Sequence, residues 1–212
     1  ALVDANAERT FVTYPGAEAE LSVADLDATG VRGGDLVYVT GYGLAHESNA
    51  AALTNWLPTL PDEVVVLFDP SPLIETLDRC VVDAVLARAD IVSVNLREGA
   101  LMTGAVDIDS IAIGLAERVR SGASVVLRTG PEGCRIASVG RPSRSVPGFA
   151  VKAVDSNGAG DAHAGVLLAG LSRGLDLYEA ALRANAAAAL AVTERGPATA
   201  PLRSRTDALV GE

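Results

Sequence analysis

At 212 residues, with 49% apolar and 21% charged side chains, the chain has the composition of one globular domain, not of a disordered segment. Its formal charge of −10 argues against a nucleic-acid-binding surface, which needs clustered Lys and Arg. It leaves room for a nucleotide ligand, because backbone amides and Mg2+ can carry phosphate charge locally. Cys80 and Cys134 form neither a CxxC pair nor a disulfide framework and read as reduced, buried thiols of a cytoplasmic protein. The longest apolar runs, at 165–171 and 186–192, are too short to span a bilayer, so no membrane partner is expected. The sequence opens without Met and in mid-pattern, with no signal-peptide character, which reads as a fragment of a longer protein.

Residues 2–3 and 10–12 flank the turn-prone Asp4-Ala5-Asn6 and are expected to pair as a hairpin. Residues 35–40 (DLVYVT) form a buried strand that runs into a loop at 41–43. Ser48 is placed to cap a helix carrying Leu53, Trp56 and Leu57 on one side. Residues 63–69 (EVVVLFD) make a second strand, stopped by Pro70-Ser71-Pro72, with Asp69 read as no more than its end. A helix near 75–88, a short strand at 91–94 and helices at 95–102 and 110–121 follow. A fourth strand at 124–127 ends in Arg128-Thr129-Gly130, with 134–139 as its antiparallel partner. Residues 142–147 read as a loop, with Arg141 and Arg144 in solvent. Strands separated by helices imply right-handed crossovers and a mostly parallel sheet covered on both faces. The loops at 41–43, 69–72, 95–98 and 128–133 then share one rim, where ligands of such sheets collect.

The chemistry concentrates in Asp155-Ser156-Asn157-Gly158-Ala159-Gly160-Asp161, which leads into an apolar helix at about 162–173. Gly158 and Gly160 allow a tight turn and a close ligand approach, and a helix start offers unpaired N–H groups to an anion. A carboxylate at Asp161 is suited to take a proton from an attacking hydroxyl, the arrangement phosphoryl transfer requires. Two plainer readings stand beside it: Asp161 complements the helix dipole, and the glycines merely make the turn. A dinucleotide fingerprint fails because His163 occupies its last glycine position, and no Walker A loop exists.

This stretch resembles the D-[ST]-x-G-A-G-D signature of the ribokinase/PfkB-type carbohydrate kinase family. Asn95-Leu96-Arg97-Glu98 is similar to the family's N-x-x-E element, which helps place Mg2+ and phosphate. The segment 128–133 stands at its strand-end T-x-G-x-x-G loop beside the nucleotide. Asn185 falls where members put an adenine-side Asn, and 193–201 is similar to the closing loop that, with Asp155, rings a monovalent cation. The resemblance implies a ribokinase-like three-layer α/β/α sandwich and ATP-dependent phosphorylation of a sugar hydroxyl. A nucleoside acceptor, or a catalytically weak nucleotide- or sugar-binding regulatory module, remains as the alternative.

On that resemblance Asp161 is the base, and Gly158, Ala159 and Gly160 form the anion hole. Asn95, Arg128, Thr129, Gly130, Gly133, Gly160 and Asn185 line ATP, and Tyr42 with Asp161 meets the substrate. Glu98 acts on Mg2+ indirectly, while Asp155, Asn157, Gly196 and Thr199 surround K+. Residues 1–16 correspond to the return of a lid hairpin and 17–212 to the ATP-binding and catalytic core. The first strand and most of the lid, through which members form homodimers, have no counterpart. Three departures stand out. Arg128 replaces the usual Thr, either to contact phosphate or to pair with an acidic neighbour. His163 replaces an aromatic residue as a packed or capping side chain, since positions two apart on a helix do not face each other. Tyr42 stands where ribokinases proper carry a sugar-binding Glu. Asn95 and Glu98 also fit a plain capping box.

Overall fold

In the computed structural model, residues 2–3, 9–10, 12 and 14–211 are described. A hairpin of β1 (Leu2–Val3) and β2 (Arg9–Thr10) opens the chain, with Leu2 opposite Thr10. The turn expected at 4–6 lies outside the described residues. After α1 (Val23–Asp27) come β3 (Leu36–Thr40), α2 (Gly41–Leu44), α3 (Glu47–Trp56), β4 (Val65–Asp69), α4 (Arg79–Leu86) and β5 (Ile91–Asn95). Then follow α5 (Leu96–Thr103), α6 (Ile108–Ala116), β6 (Ser124–Arg128), β7 (Gly133–Ser138) and β8 (Arg141–Pro147). The chain ends in α7 (Ala159–Leu171), α8 (Leu177–Ala191) and α9 (Arg203–Gly211).

β3 through β8 form one sheet in sequential order. β3 to β6 are parallel, while β7 and β8 add as antiparallel strands. Sequential parallel strands joined by right-handed crossovers must place their connecting helices on one face. The side chains obey that rule. Val66, Phe68, Val92, Val94, Val125 and Leu127 pack with Leu53 and Trp56 of α3, Val85 of α4 and Ile111 of α6. The alternate residues Leu67, Ile91 and Val126 point the other way, joining Cys134, Val146, Leu167 of α7 and Ala180, Ala181 and Ala184 of α8. The period-2 alternation of a strand therefore builds two cores and three layers from one sheet. Trp56 is a core residue and Tyr14 an exposed one.

Several expectations need correction. Residues 142–147 lie within β8, an edge strand; its prolines and arginines suit an edge, where a missing N–H costs no ladder bond. Arg144 is not simply solvated but stacks over the Tyr178 ring, 3.6 Å from its centroid. The helix at 75–88 is broken: Pro72–Glu75 makes a 3-10 turn, and Asp78 caps α4 by accepting from the Cys80 and Val81 N–H groups. His46, not Ser48, precedes α3, and the Ser48 hydroxyl instead donates to the Leu21 carbonyl. Tyr42 sits on the short helix α2, not in a loop. α6 runs from Ile108 after an Asp107 cap, and α7 starts at Ala159, both earlier than the pattern suggests. Cys134 is buried as expected, but Cys80 is exposed. Among the described residues no single helix is long and apolar enough to cross a membrane.

Candidate active site

Thr40, Asp69, Asn95 and Arg128 end the four parallel strands side by side, in the registers Thr40↔Asp69 and Asn95↔Arg128. The head of α7 comes to the same rim. Its N-cap Gly158 is left-handed (φ 76°) and offers no side-chain cap, as only glycine can do without cost. The N–H groups of Gly160 and Asp161 meet no acceptor among the described residues, while the Ala162 N–H already bonds the Gly158 carbonyl at 2.9 Å. Asp161 stands on this first turn with its side chain exposed. Thirteen residues of helix thus present unsatisfied donors and a dipole's positive end beside a free-standing carboxylate.

Beside that head lies a buried ion cluster. The Arg128 guanidinium pairs through Nη1 with Asp69 Oδ2 at 2.8 Å and through Nη2 with Glu98 Oε2 at 3.3 Å. Its Nη1 is also 3.4 Å from where a Cβ on Gly160 would stand, so the charge rests against the first turn of α7. Of the two readings left open for Arg128, the structure realises the acidic pairing. Asn95 and Glu98 form a complete capping box: Asn95 Oδ1 accepts from the Glu98 N–H, and Glu98 accepts from the Asn95 N–H and Nδ2. Burial raises the Glu98 pKa, with the Asn95 hydrogen bond and the Arg128 charge opposing it. Among the described residues no three His, Cys, Asp or Glu side chains gather to hold a metal.

Asp155, Asn157, Gly196 and Thr199 lie together. Asp155 accepts from the Asn157 N–H at 2.9 Å and the Gly196 N–H at 3.0 Å, and the Thr199 hydroxyl bonds the Ala191 and Gly196 carbonyls. At the end of β6, the Thr129 N–H bonds the Gly133 carbonyl, and Gly130 is exposed. Gly133 and Gly148 approach so closely that a Cβ on either would overlap backbone. Tyr42 is exposed on α2.

Asn185 lies just beneath that rim, since Val146 and Pro147 pair with Cys134 and Gly133 beside Arg128. Its side chain is buried, with Nδ2 donating to the Val146 and Pro147 carbonyls and Oδ1 3.2 Å from His163 Nε2. The resemblance implies an adenine contact there; within the protein the amide stitches α8 to β8 and α7. His163 is the packed residue of its two expected forms, and burial, with the Arg128 charge, pushes its pKa down to about 3. Sequence reasoning missed Asp69, buried beneath Arg128, and Ser71 behind it at φ 60°. It also missed Tyr38 of β3, whose phenol pKa is raised by burial and then by the Asp69 and Asp161 carboxylates. The Asp-Pro-Ser string could have flagged Asp69 as a turn-former; nothing in an alternating strand could have flagged Tyr38.

A mostly parallel sheet with helices on both faces and its polar groups at the carboxyl rim makes a three-layer α/β/α protein, and its solved neighbours place it in the ribokinase-like class. The family description "pfkB family carbohydrate kinase" matches residues 1–205, and the chain belongs to that family. The uncharacterized sugar kinase YegV of Escherichia coli (strain K12) is 34% identical over 205 residues, covering 96% of this chain and 63% of YegV. A fructokinase of Escherichia coli is 33% identical, over 94% of this chain and 69% of the relative. The fructokinase of Vibrio cholerae O395, solved with fructose, ADP and calcium ion, superposes with a TM-score of 0.81. It is 27% identical, over 95% of this chain and 68% of that one. The chain therefore spans under two thirds of the length of YegV.

Proposed function

We propose that this chain is the nucleotide-binding and catalytic core of an ATP-dependent carbohydrate kinase, with residues 1–16 as the return of a lid hairpin. The observation that carries this reading is the open head of α7: unbonded N–H groups at Gly160 and Asp161, with the Asp161 carboxylate exposed on the same turn. Asp161 takes the proton of the acceptor hydroxyl, and the amides of 158–160 receive the charge on the phosphoryl group, Gly160 foremost because the Ala159 N–H already meets the Ser156 carbonyl at 3.4 Å. The donor set fits an anion, and Gly160 keeps the approach clear of a side chain. ATP would supply that group, and Mg2+ would travel on its phosphates, since Mg2+ commonly takes only one or two protein carboxylates. Arg128, Thr129, Gly130 and Gly133 lie along the rim where the nucleotide would run. Asp155, Asn157, Gly196 and Thr199 enclose the turn where K+ would sit. Tyr42 is the acceptor-side residue of this chain.

A sugar is the favoured acceptor because the sequence relatives are sugar kinases and fructokinases; a nucleoside is the next. A cytoplasmic location and a homodimer accord with the same reading. ADP release from Mg2+-ATP across a panel of sugars and nucleosides, with Asp161→Asn in parallel, tests it. Acceptor-dependent release lost in the variant supports the kinase. Binding of ATP without release for any acceptor favours a regulatory binding module.

A further inference from the structure

We infer that Asp69 is a positioning residue that fixes the Arg128 guanidinium under the head of α7 and thereby sets the rate of phosphoryl transfer; this rests on the kinase reading above. Asp69 is buried and holds two things at once. Its Oδ1 accepts from the Ser71 N–H at 2.9 Å, closing the turn that keeps Ser71 in the left-handed region, and its Oδ2 takes Arg128 Nη1 at 2.8 Å. A non-glycine residue at positive φ is costly and persists only where its surroundings impose it. That turn is itself braced, because Gly41 meets the Pro70 carbonyl so closely that no side chain fits there. The carboxylate is thus anchored to backbone before it meets the arginine.

Arg128, half-buried, is poised differently from the buried Arg88. At the opposite rim Arg88 is closed off, bonding Asp90 and the Pro61 and Val64 carbonyls. Arg128 makes only the Asp69 and Glu98 contacts, keeps part of its side chain exposed, and rests 3.4 Å from the Gly160 Cβ position. A guanidinium has five N–H donors, so it retains donors for an anion received by α7. Asp69 and Glu98, one on each Nη, hold its plane between the end of β4 and the first turn of α5. Glu98 alone would let it swing.

The test compares wild type with Asp69→Asn, which keeps shape and the Ser71 bond but removes the charge. Turnover should fall about tenfold, as misplacement of a binding group does. ADP should bind equally or up to about fivefold more tightly, because a negative charge beside the phosphates is gone. In an Arg128→Met background the same change should leave turnover unaltered. The 15N spectrum of the Arg128 guanidinium, resolved and slowly rotating in wild type, should average in Asp69→Asn. Unchanged guanidinium signals, or unchanged turnover in an active wild type, overturns the inference. A wild type inactive with every acceptor, whose guanidinium still averages on substitution, overturns the kinase reading and supports the clamp. Should Asp69→Asn not fold, Arg128→Lys carries the test: an ammonium cannot span both carboxylates, so the same turnover loss is expected, and full turnover overturns the inference.

Discussion

Gly158 packs against the Pro197 carbonyl so tightly that any Cβ would overlap that oxygen, and it does so in the left-handed region at φ 76°. The 193–201 loop and the turn that opens α7 are therefore one piece of structure. The Asp155 bonds to Asn157 and Gly196 tie the same two segments a few residues away. Gly158→Ala should cost about 1–2 kcal/mol from its φ alone, and more from the overlap, while weakening nucleotide binding by prising the loop off the turn. Thermal unfolding and ADP titration check both. An alanine variant with wild-type affinity would separate the loop from the anion hole.

Asp161 contributes little to the fold, since its side chain is exposed and, among the described residues, bonds neither the capping box nor the ion cluster. Asp161→Asn should thus leave the unfolding midpoint near wild type and ADP affinity within about threefold, while turnover drops by at least about a hundredfold. The diagnostic is this split between rate and binding. Equal loss of both would make Asp161 a binding or folding residue and remove it as the base.

His163 gives a prediction in pH. Its ring is neutral in the folded chain down to about pH 3, whereas an unfolded chain binds the proton near pH 6.5. The unfolded state therefore holds the extra proton between those values. Stability from this residue is complete above pH 6.5 and is lost as pH falls through the window. His163→Phe removes that slope. At about pH 8 the variant should be less stable by about 1–3 kcal/mol, because Asn185 Oδ1 loses its partner. By about pH 4 the gap to wild type should narrow or reverse. Urea unfolding at both pH values measures it; a constant gap would mean that the ring is not kept neutral by the fold.

The layers were legible because they rest on local alternation. VVVLFD and SVVLR announce strands buried on both faces, and the glycines of 158–160 announce a turn that opens a helix. Side-chain partners across the sheet were not legible. Arg128 could be read as a phosphate contact or an ion pair, and choosing required Asp69 and Glu98, 59 and 30 residues away. The hydrogen-bond partners of Asn185 were hidden for the same reason, since helical position does not say which way an amide turns when two carbonyls lie across the interface. Residues 142–147 were lost to prolines and arginines, which mark loops in general and edge strands in particular.

α8 is rich in alanine, and the geometry explains why alanine is needed there. Ala180, Ala181, Ala184 and Ala187 are fully buried, and a Cβ on Gly170 of α7 would come 2.9 Å from that of Ala180. The two helices approach to a distance set by small residues, leaving no room for a longer side chain. Ala184→Leu must push α8 away from α7 and the sheet, at about 1–3 kcal/mol. The same shift carries the neighbouring Asn185 off the Val146 and Pro147 carbonyls. Ala189→Leu, on a half-buried position of the same helix, should cost less. The urea midpoints of the two variants, at unchanged m, decide it. Equal midpoints would mean that the α7–α8 contact yields more easily than its small residues imply.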